Sequence, residues 1–307
     1  MERRSNPVWI TGAGGLIGNY LVQTAPKHGS AGILPANHVS KATRRQDAGA
    51  PRLAVRALTR SDFDLLDFAA VRREFEKDQP QLVIHCVAIS TIADTQKNPE
   101  LARRVNVEAV KLLAELAAEI PFVLFSTDLV FDGRKGNYVE NDAPNPLHLY
   151  GETKAAAEQI VLKNPRHLVV RTSINGGISL GGKRGFNEQL RLALQSGKPM
   201  KLFTDEFRSP IPAIETARAV WELTGKNCAG IYHVAGAERL SRWQIGQLLL
   251  SRWPEIKTRI EPGSAKDFPG PPRAADSSLD ISKVQEVLSQ PLPRFSDWLA
   301  ANPDEPF

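Results

Sequence analysis

The chain has 307 residues, 42% hydrophobic and 24% charged, enough to bury a substantial core, and so one large α/β unit or two fused lobes is expected. Its two cysteines, Cys86 and Cys228, stand far apart and away from metal-ligand spacing, so neither a disulfide framework nor a metal site is expected and a reducing cytoplasm fits. The net charge of +5 is concentrated in one segment, where Lys27, Lys41, Arg44, Arg45, Arg52, Arg56 and Arg60 face Asp47 alone without interleaved aromatics; no nucleic-acid partner is expected, and no apolar run approaches a signal core or a membrane span.

The first predicted strand, residues 8–10, runs into Thr11-Gly12-Ala13-Gly14-Gly15-Leu16-Ile17-Gly18 and then a helix. A Gly12-x-x-Gly15-x-x-Gly18 turn after the first strand of an alternating chain is the place for a dinucleotide pyrophosphate. Glycine there permits the tight turn, the approach of phosphate to backbone N–H groups and close helix-to-strand packing. Gly12, Gly15, Leu16, Ile17 and Gly18 are therefore candidate cofactor contacts. The second strand, 53–58, ends in Thr59-Arg60-Ser61, where an acidic residue would hold a free ribose hydroxyl. Arg60 is suited to a 2′-phosphate, which favours NADPH over NADH, and Asp64 and Leu65 follow as candidates for the adenine. This strand ends about twice the usual 20 residues beyond the glycine turn. The excess, residues 29–52, has no consistent period and reads as an inserted surface loop.

Asp67 predicts a helix cap ahead of Val71 and Phe75, and a third strand spans 82–88. Leu101, Val105, Ala109, Leu112 and Leu116 recur at helical spacing. The fourth strand, 122–125, is closed by Ser126-Thr127-Asp128, which puts the Thr127 hydroxyl at the carboxyl end of a sheet, where ligands sit. Tyr150-Gly151-Glu152-Thr153-Lys154 opens a helix in which the i,i+4 spacing puts phenol and ammonium on one face, so that Lys154 lowers the tyrosine's pKa for proton transfer. A fifth strand spans 168–170. The pattern predicts a doubly wound parallel sheet over residues 1–173 and a smaller, looser substrate lobe over 174–307, rich in glycine and proline, with a segment near 231–236 returning to the main sheet.

Taken together, Gly12-x-x-Gly15-x-x-Gly18, Asn106, Ser126-Thr127-Asp128-Leu129-Val130-Phe131-Asp132-Gly133, Tyr150-x-x-x-Lys154 and Arg171-Thr172-Ser173 resemble the extended short-chain dehydrogenase/reductases of Rossmann type. Among these, the chain is most similar to the dTDP-4-dehydrorhamnose reductase family. Asp205 to Pro210, Gly230 to His233 and Arg273 to Asp280 extend the likeness through the C-terminal half. The resemblance implies reduction of a nucleotide-linked 4-keto sugar, with NAD(P)H as hydride donor and Thr127, Tyr150 and Lys154 as the catalytic trio. It also implies that Ala88, Ile89 and Ser90 line the cofactor, that Asn106 supports the active-site lysine, and that Thr127, Asp128 and Arg273 meet the substrate. A homodimer is among the expectations.

The chain departs from that family's usual pattern at Leu129, where tyrosine is usual, at Ile174-Asn175-Gly176, where an aromatic is usual, and at Glu206 and Arg208, where glutamine and glycine are usual. Two other readings share the motifs. One is a nucleotide-sugar epimerase or dehydratase; the other is a non-catalytic NADP-binding subunit, as in the regulatory subunit of methionine adenosyltransferase.

Overall fold

The computed structural model describes residues 6–26, 53–197, 199–305 and 307. The insertion expected at 29–52 lies outside the described residues.

The first half alternates strand and helix. β1 (Val8–Thr11), α1 (Leu16–Gln23), β2 (Val55–Leu58), α2 (Phe68–Asp78) and β3 (Leu82–His85) are followed by α3 (Ile92–Lys97) and α4 (Pro99–Arg103). A π-helical turn, Arg104–Glu108, then joins α4 to α5 (Ala109–Leu116). After β4 (Phe122–Thr127) a single 3-10 turn, Asp128–Val130, precedes α6 (Leu149–Val161) and β5 (Leu168–Thr172). Capping follows the local chemistry: the Asp67 carboxylate accepts from Ala70 N at 2.9 Å and starts α2.

The second half contains β6 (Asn175–Gly176), α7 (Phe186–Gln195), β7 (Met200–Phe203), β8 (Phe207–Arg208), β9 (Ile211–Pro212) and α8 (Ala213–Gly225). β10 (Gly230–Val234), β11 (Leu240–Ser241), α9 (Arg242–Leu250), β12 (Ile260–Gly263), α10 (Ser282–Val287) and α11 (Phe295–Ala301) complete it.

Six strands form one parallel sheet in the order β10-β5-β4-β3-β1-β2. β1, β3, β4 and β5 are buried along their whole length, as strands covered on both faces must be. Alternate residues feed two cores. Ile10, Ile84, Phe125 and Val170 pack on the face that α1 and α8 cover; Trp9, Val83, Leu124 and Val169 pack on the face that α2, α5 and α6 cover. A third core, built on Leu190, Leu194, Ile245, Leu249, Trp253, Phe295 and Leu299, belongs to the C-terminal lobe.

The chain beyond residue 173 therefore divides its work. β10, α8 and α10 join the main sheet and its first core, whereas α7, α9, α11 and the paired β7 and β12 make the lobe that overhangs the carboxyl end. The sequence order reverses between β1 and β3, and the crevice of an open α/β sheet lies at such a point.

Candidate active site

The glycine turn sits at that reversal. Gly12 has a φ of +75°, in the left-handed region, and a Cβ there would press on the backbone at Cys86 and Val87. A Cβ on Gly18 would lie 2.3 Å from the Gly12 carbonyl oxygen, so α1 reaches this close to the turn only because position 18 is bare. Leu16 and Ile17 open α1 behind the turn, with backbone N–H groups unclaimed by the helix itself. The residues here fit a dinucleotide: a cradle that side chains would fill, at the amino end of a helix, beside the end of β3.

At the end of β2, the Asp62 carboxylate accepts from Thr59 N and Thr59 Oγ1, both at 2.8 Å, and these bonds hold it below the usual carboxylate range. That acid caps its own turn, and the neighbouring Arg60 is exposed. Asp64 accepts from Leu66 N at 2.9 Å and is likewise turned into its own loop, while Leu65 packs on the core around Trp9. Ala88 and Ile89 are half-buried and Ser90 is exposed, on the loop that leaves β3.

Asn106 is fully buried on the π-helical turn. Its Oδ1 accepts from Ile89 N at 2.9 Å, and its Nδ2 donates to Ile89 O at 3.1 Å and to Thr153 Oγ1 at 3.0 Å. One amide thus ties the loop after β3 to the helix that carries Tyr150 and Lys154. Irregular turns of this kind recur at functional sites.

Thr127 ends β4, and α6 starts against it. A Cβ on Gly151 would fall 2.2 Å from the Leu129 carbonyl oxygen, so the bare backbone at 151 is what lets the head of α6 close on the turn after β4. Tyr150 and Lys154 are 9% and 2% exposed, one helical turn apart, with Thr127 beside the phenol. The sequence predicts that Lys154 lowers the phenol's pKa; instead, burial dominates and pushes Tyr150 up to about 12, with Thr127 and Arg208 pulling it down and Asp128 pushing it further up. Burial also pulls Lys154 down to about 8, with Glu158 and Cys86 opposing. At neutral pH the phenol carries its proton and the ammonium its charge, as a proton donor and its electrostatic support require.

Glu158, one further turn along α6, is buried and paired with Arg171 at 2.7 Å, and it accepts from the Ser126 hydroxyl. Tyr150, Lys154 and Glu158 thus share one face of α6.

Asp128 is fully buried and has its own partners. Arg208 grips it with Nε on Oδ2 at 2.6 Å and Nη2 on Oδ1, and Ser173 Oγ donates to Oδ2 at 2.6 Å. Glu206, 3% exposed, sits among three guanidinium groups: Arg242 at 2.9 Å, Arg273 in direct contact and Arg208 at 4.0 Å. Although burial opposes ionisation, these cations hold its carboxyl down at about 2. Arg273 reaches the same cluster with its guanidinium over Phe203 and Phe268, close enough to His148, at the head of α6, to lower that imidazole's pKa along with burial. Arg208, Glu206, Arg242 and Ser173 are functional candidates to which sequence reasoning gave no role. They come from three separate segments, and nothing in their spacing announces that they meet.

A family model described as the RmlD substrate binding domain matches residues 6–305. The chain belongs to this family. An RmlD-family chain of this kind has a curated relative in a probable low-salt glycan biosynthesis reductase of Haloferax volcanii, 31% identical over 95% of this chain and 96% of the other. Methionine adenosyltransferase 2 subunit beta of Xenopus laevis is 29% identical over 73% of this chain and 70% of its own. The solved dTDP-4-dehydrorhamnose reductase of Bacillus anthracis, in complex with NADP, covers 97% of this chain and 98% of its own with a TM-score of 0.80 at 21% identity, a likeness of fold. Within the RmlD-family fold, no described helix is long and apolar enough to cross a membrane, and no described group of histidine, cysteine and carboxylate side chains has the makings of a metal site.

Proposed function

We propose that this RmlD-family protein is an NAD(P)H-dependent reductase of a nucleotide-linked 4-keto sugar, with dTDP-4-dehydrorhamnose as the first substrate to test. The observation that carries the reading is the meeting of Thr127, Tyr150 and Lys154 at the carboxyl end of the sheet, beside a glycine turn shaped for a dinucleotide. The backbone from Gly12 to Gly18, the loop at 88–90 and the Lys154 ammonium would hold the cofactor, and exposed Arg60 at the end of β2 favours a 2′-phosphate and hence NADPH. When bound, the nicotinamide supplies a hydride to the keto carbon. Tyr150 gives its proton to the keto oxygen, Thr127 donates a hydrogen bond to that oxygen, and the Lys154 charge stabilises the phenolate that is left.

Dehydration would need a second acid and base beside Thr127. The turn after β4 offers Leu129, which has none to give, and Asp128, whose oxygens are taken by Arg208 and Ser173. The likeness to the methionine adenosyltransferase subunit keeps a second reading open, in which NADP is bound without turnover.

The test is NADPH oxidation against a panel of 4-keto nucleotide sugars. Turnover of one of them, lost in Tyr150→Phe with cofactor affinity within a few-fold, supports the reductase. Tight NADP binding with no turnover on any sugar transfers support to the binding subunit.

A further inference from the structure

The Thr127 hydroxyl has one proton, and besides the Tyr150 oxygen beside it two acceptors compete for it. One is the keto oxygen of the proposed reaction; the other is Asp128 Oδ1, at 3.1 Å. A neighbouring carboxylate with free lone pairs would hold that proton, because hydrogen bonds to ionised acceptors are roughly twice as strong as those to neutral ones. Here three of the carboxylate's four acceptor positions are taken by other donors, and the fourth holds Thr127 only at long range. Arg208 covers both oxygens and Ser173 covers Oδ2, which leaves the Thr127 contact the longest that Asp128 makes with these side chains. Ser173 is itself held, since its oxygen accepts from Ser209 N at 3.2 Å, one residue after Arg208.

We propose that Arg208 is a positioning residue of the proton-transfer site: by gripping Asp128 with both arms of its guanidinium it frees the Thr127 proton for the substrate oxygen and balances the carboxylate's charge beside the Tyr150 phenol. The first half rests on the reductase reading above; the second rests on the Asp128–Arg208 contact beside the phenol and stands without it. The phenol is surrounded by charges from several elements. Asp128 follows β4 and Arg208 lies on β8, with Glu206 just before it. Arg242 of α9 and Arg273 complete the cluster, His148 and Lys154 share the head of α6, and Glu158, His85 and Cys86 flank the lysine. Asp128 and Arg208 act on Tyr150 with opposite sign. A buried pair of this kind nearly cancels only while both members are present.

The decisive experiment places difluorotyrosine at position 150, which brings the phenol into an accessible pH range, and follows its titration by fluorine NMR in the intact protein. Asp128→Asn removes the carboxylate that grips Arg208 and lowers the midpoint by about one pH unit. Adding Arg208→Gln to that variant returns the midpoint most of the way to the starting value. Arg208→Lys, which keeps the charge, stays within a few tenths of it. A midpoint unmoved by Asp128→Asn, or a double variant as displaced as the single one, overturns the proposal.

The turnover test uses NADPH with dTDP-4-dehydrorhamnose. Arg208→Gln lowers kcat about tenfold or more with KM changed by less than a few-fold, and Asp128→Asn in the same chain restores most of it. A loss carried by KM instead would make Arg208 a substrate contact and sink the release of Thr127. If the native chain reduces no 4-keto sugar while the titration behaves as described, the reductase reading fails and the electrostatic half stands.

Discussion

Glu206→Gln is a nearly isosteric change with a calculable cost. The carboxylate is buried among Arg208, Arg242 and Arg273, and its pKa is held at about 2 against a reference of 4.5. A carboxyl group with a depressed native pKa binds fewer protons folded than unfolded. Its stabilisation is therefore full above the unfolded pKa and is lost as pH falls through the folded one. A depression of this size corresponds to about 3 kcal/mol at pH 7, falling to about 1.5 kcal/mol at pH 3. Glutamine keeps the shape and removes the charge, leaving three cations to face one another. The variant should lose about 3 kcal/mol at pH 7, a drop in Tm of roughly 5 °C. Urea unfolding followed by tryptophan fluorescence at pH 7 and at pH 3 measures both ends. A loss below about 1 kcal/mol at pH 7, or the same loss at both pH values, would refute the assignment of Glu206 as the cluster's counter-charge.

Lys154→Met should raise stability while ending turnover: the buried ammonium has a native pKa of about 8 against 10.5, so its cost, about 3 kcal/mol, is complete below pH 8 and fades as pH rises toward the unfolded value. Thermal unfolding at pH 7 and at pH 10 reads this directly, and an unchanged Tm at pH 7 would count against it. In the reductive direction, kcat/KM should fall on the alkaline side with a limb near pH 8, as Lys154 loses its charge, and a flat profile to pH 9.5 would remove the lysine from the transition state. Gly18→Ala puts a methyl group 2.3 Å from the Gly12 carbonyl; isothermal titration should show NADPH affinity at least tenfold weaker, and native affinity would dissociate the turn from cofactor binding.

The sheet was legible because its strands are mostly apolar and alternate with helical patterns, and β1 with its glycine turn stands where such a turn must. The head of α6 was legible for the same kind of reason: Tyr150 and Lys154 lie one turn apart, and helical geometry places them on one face. What spacing could not convey was burial. At Tyr150 the cost of desolvation outweighs the groups that favour the phenolate, and these are Thr127 and Arg208. Nor could sequence join Asp128 to Arg208 or Glu206 to Arg242, since the loops between them carry no trace of which side chains they bring together. Glu206 and Arg208 read as two separate departures from the resemblance. In the fold they belong to a single charge-compensated cluster, with the arginine committed to Asp128 and the glutamate serving the cations around it.

The Asn106 clasp has a mechanical consequence. With its carboxamide bonded to Ile89 on one side and Thr153 on the other, Asn106 ties the wall that would receive the nicotinamide to the helix that would release the proton. The spacing between hydride donor and proton donor is then set when the protein folds rather than reassembled at every turnover, a form of orientation that lowers an activation barrier without any contact to the reacting atoms.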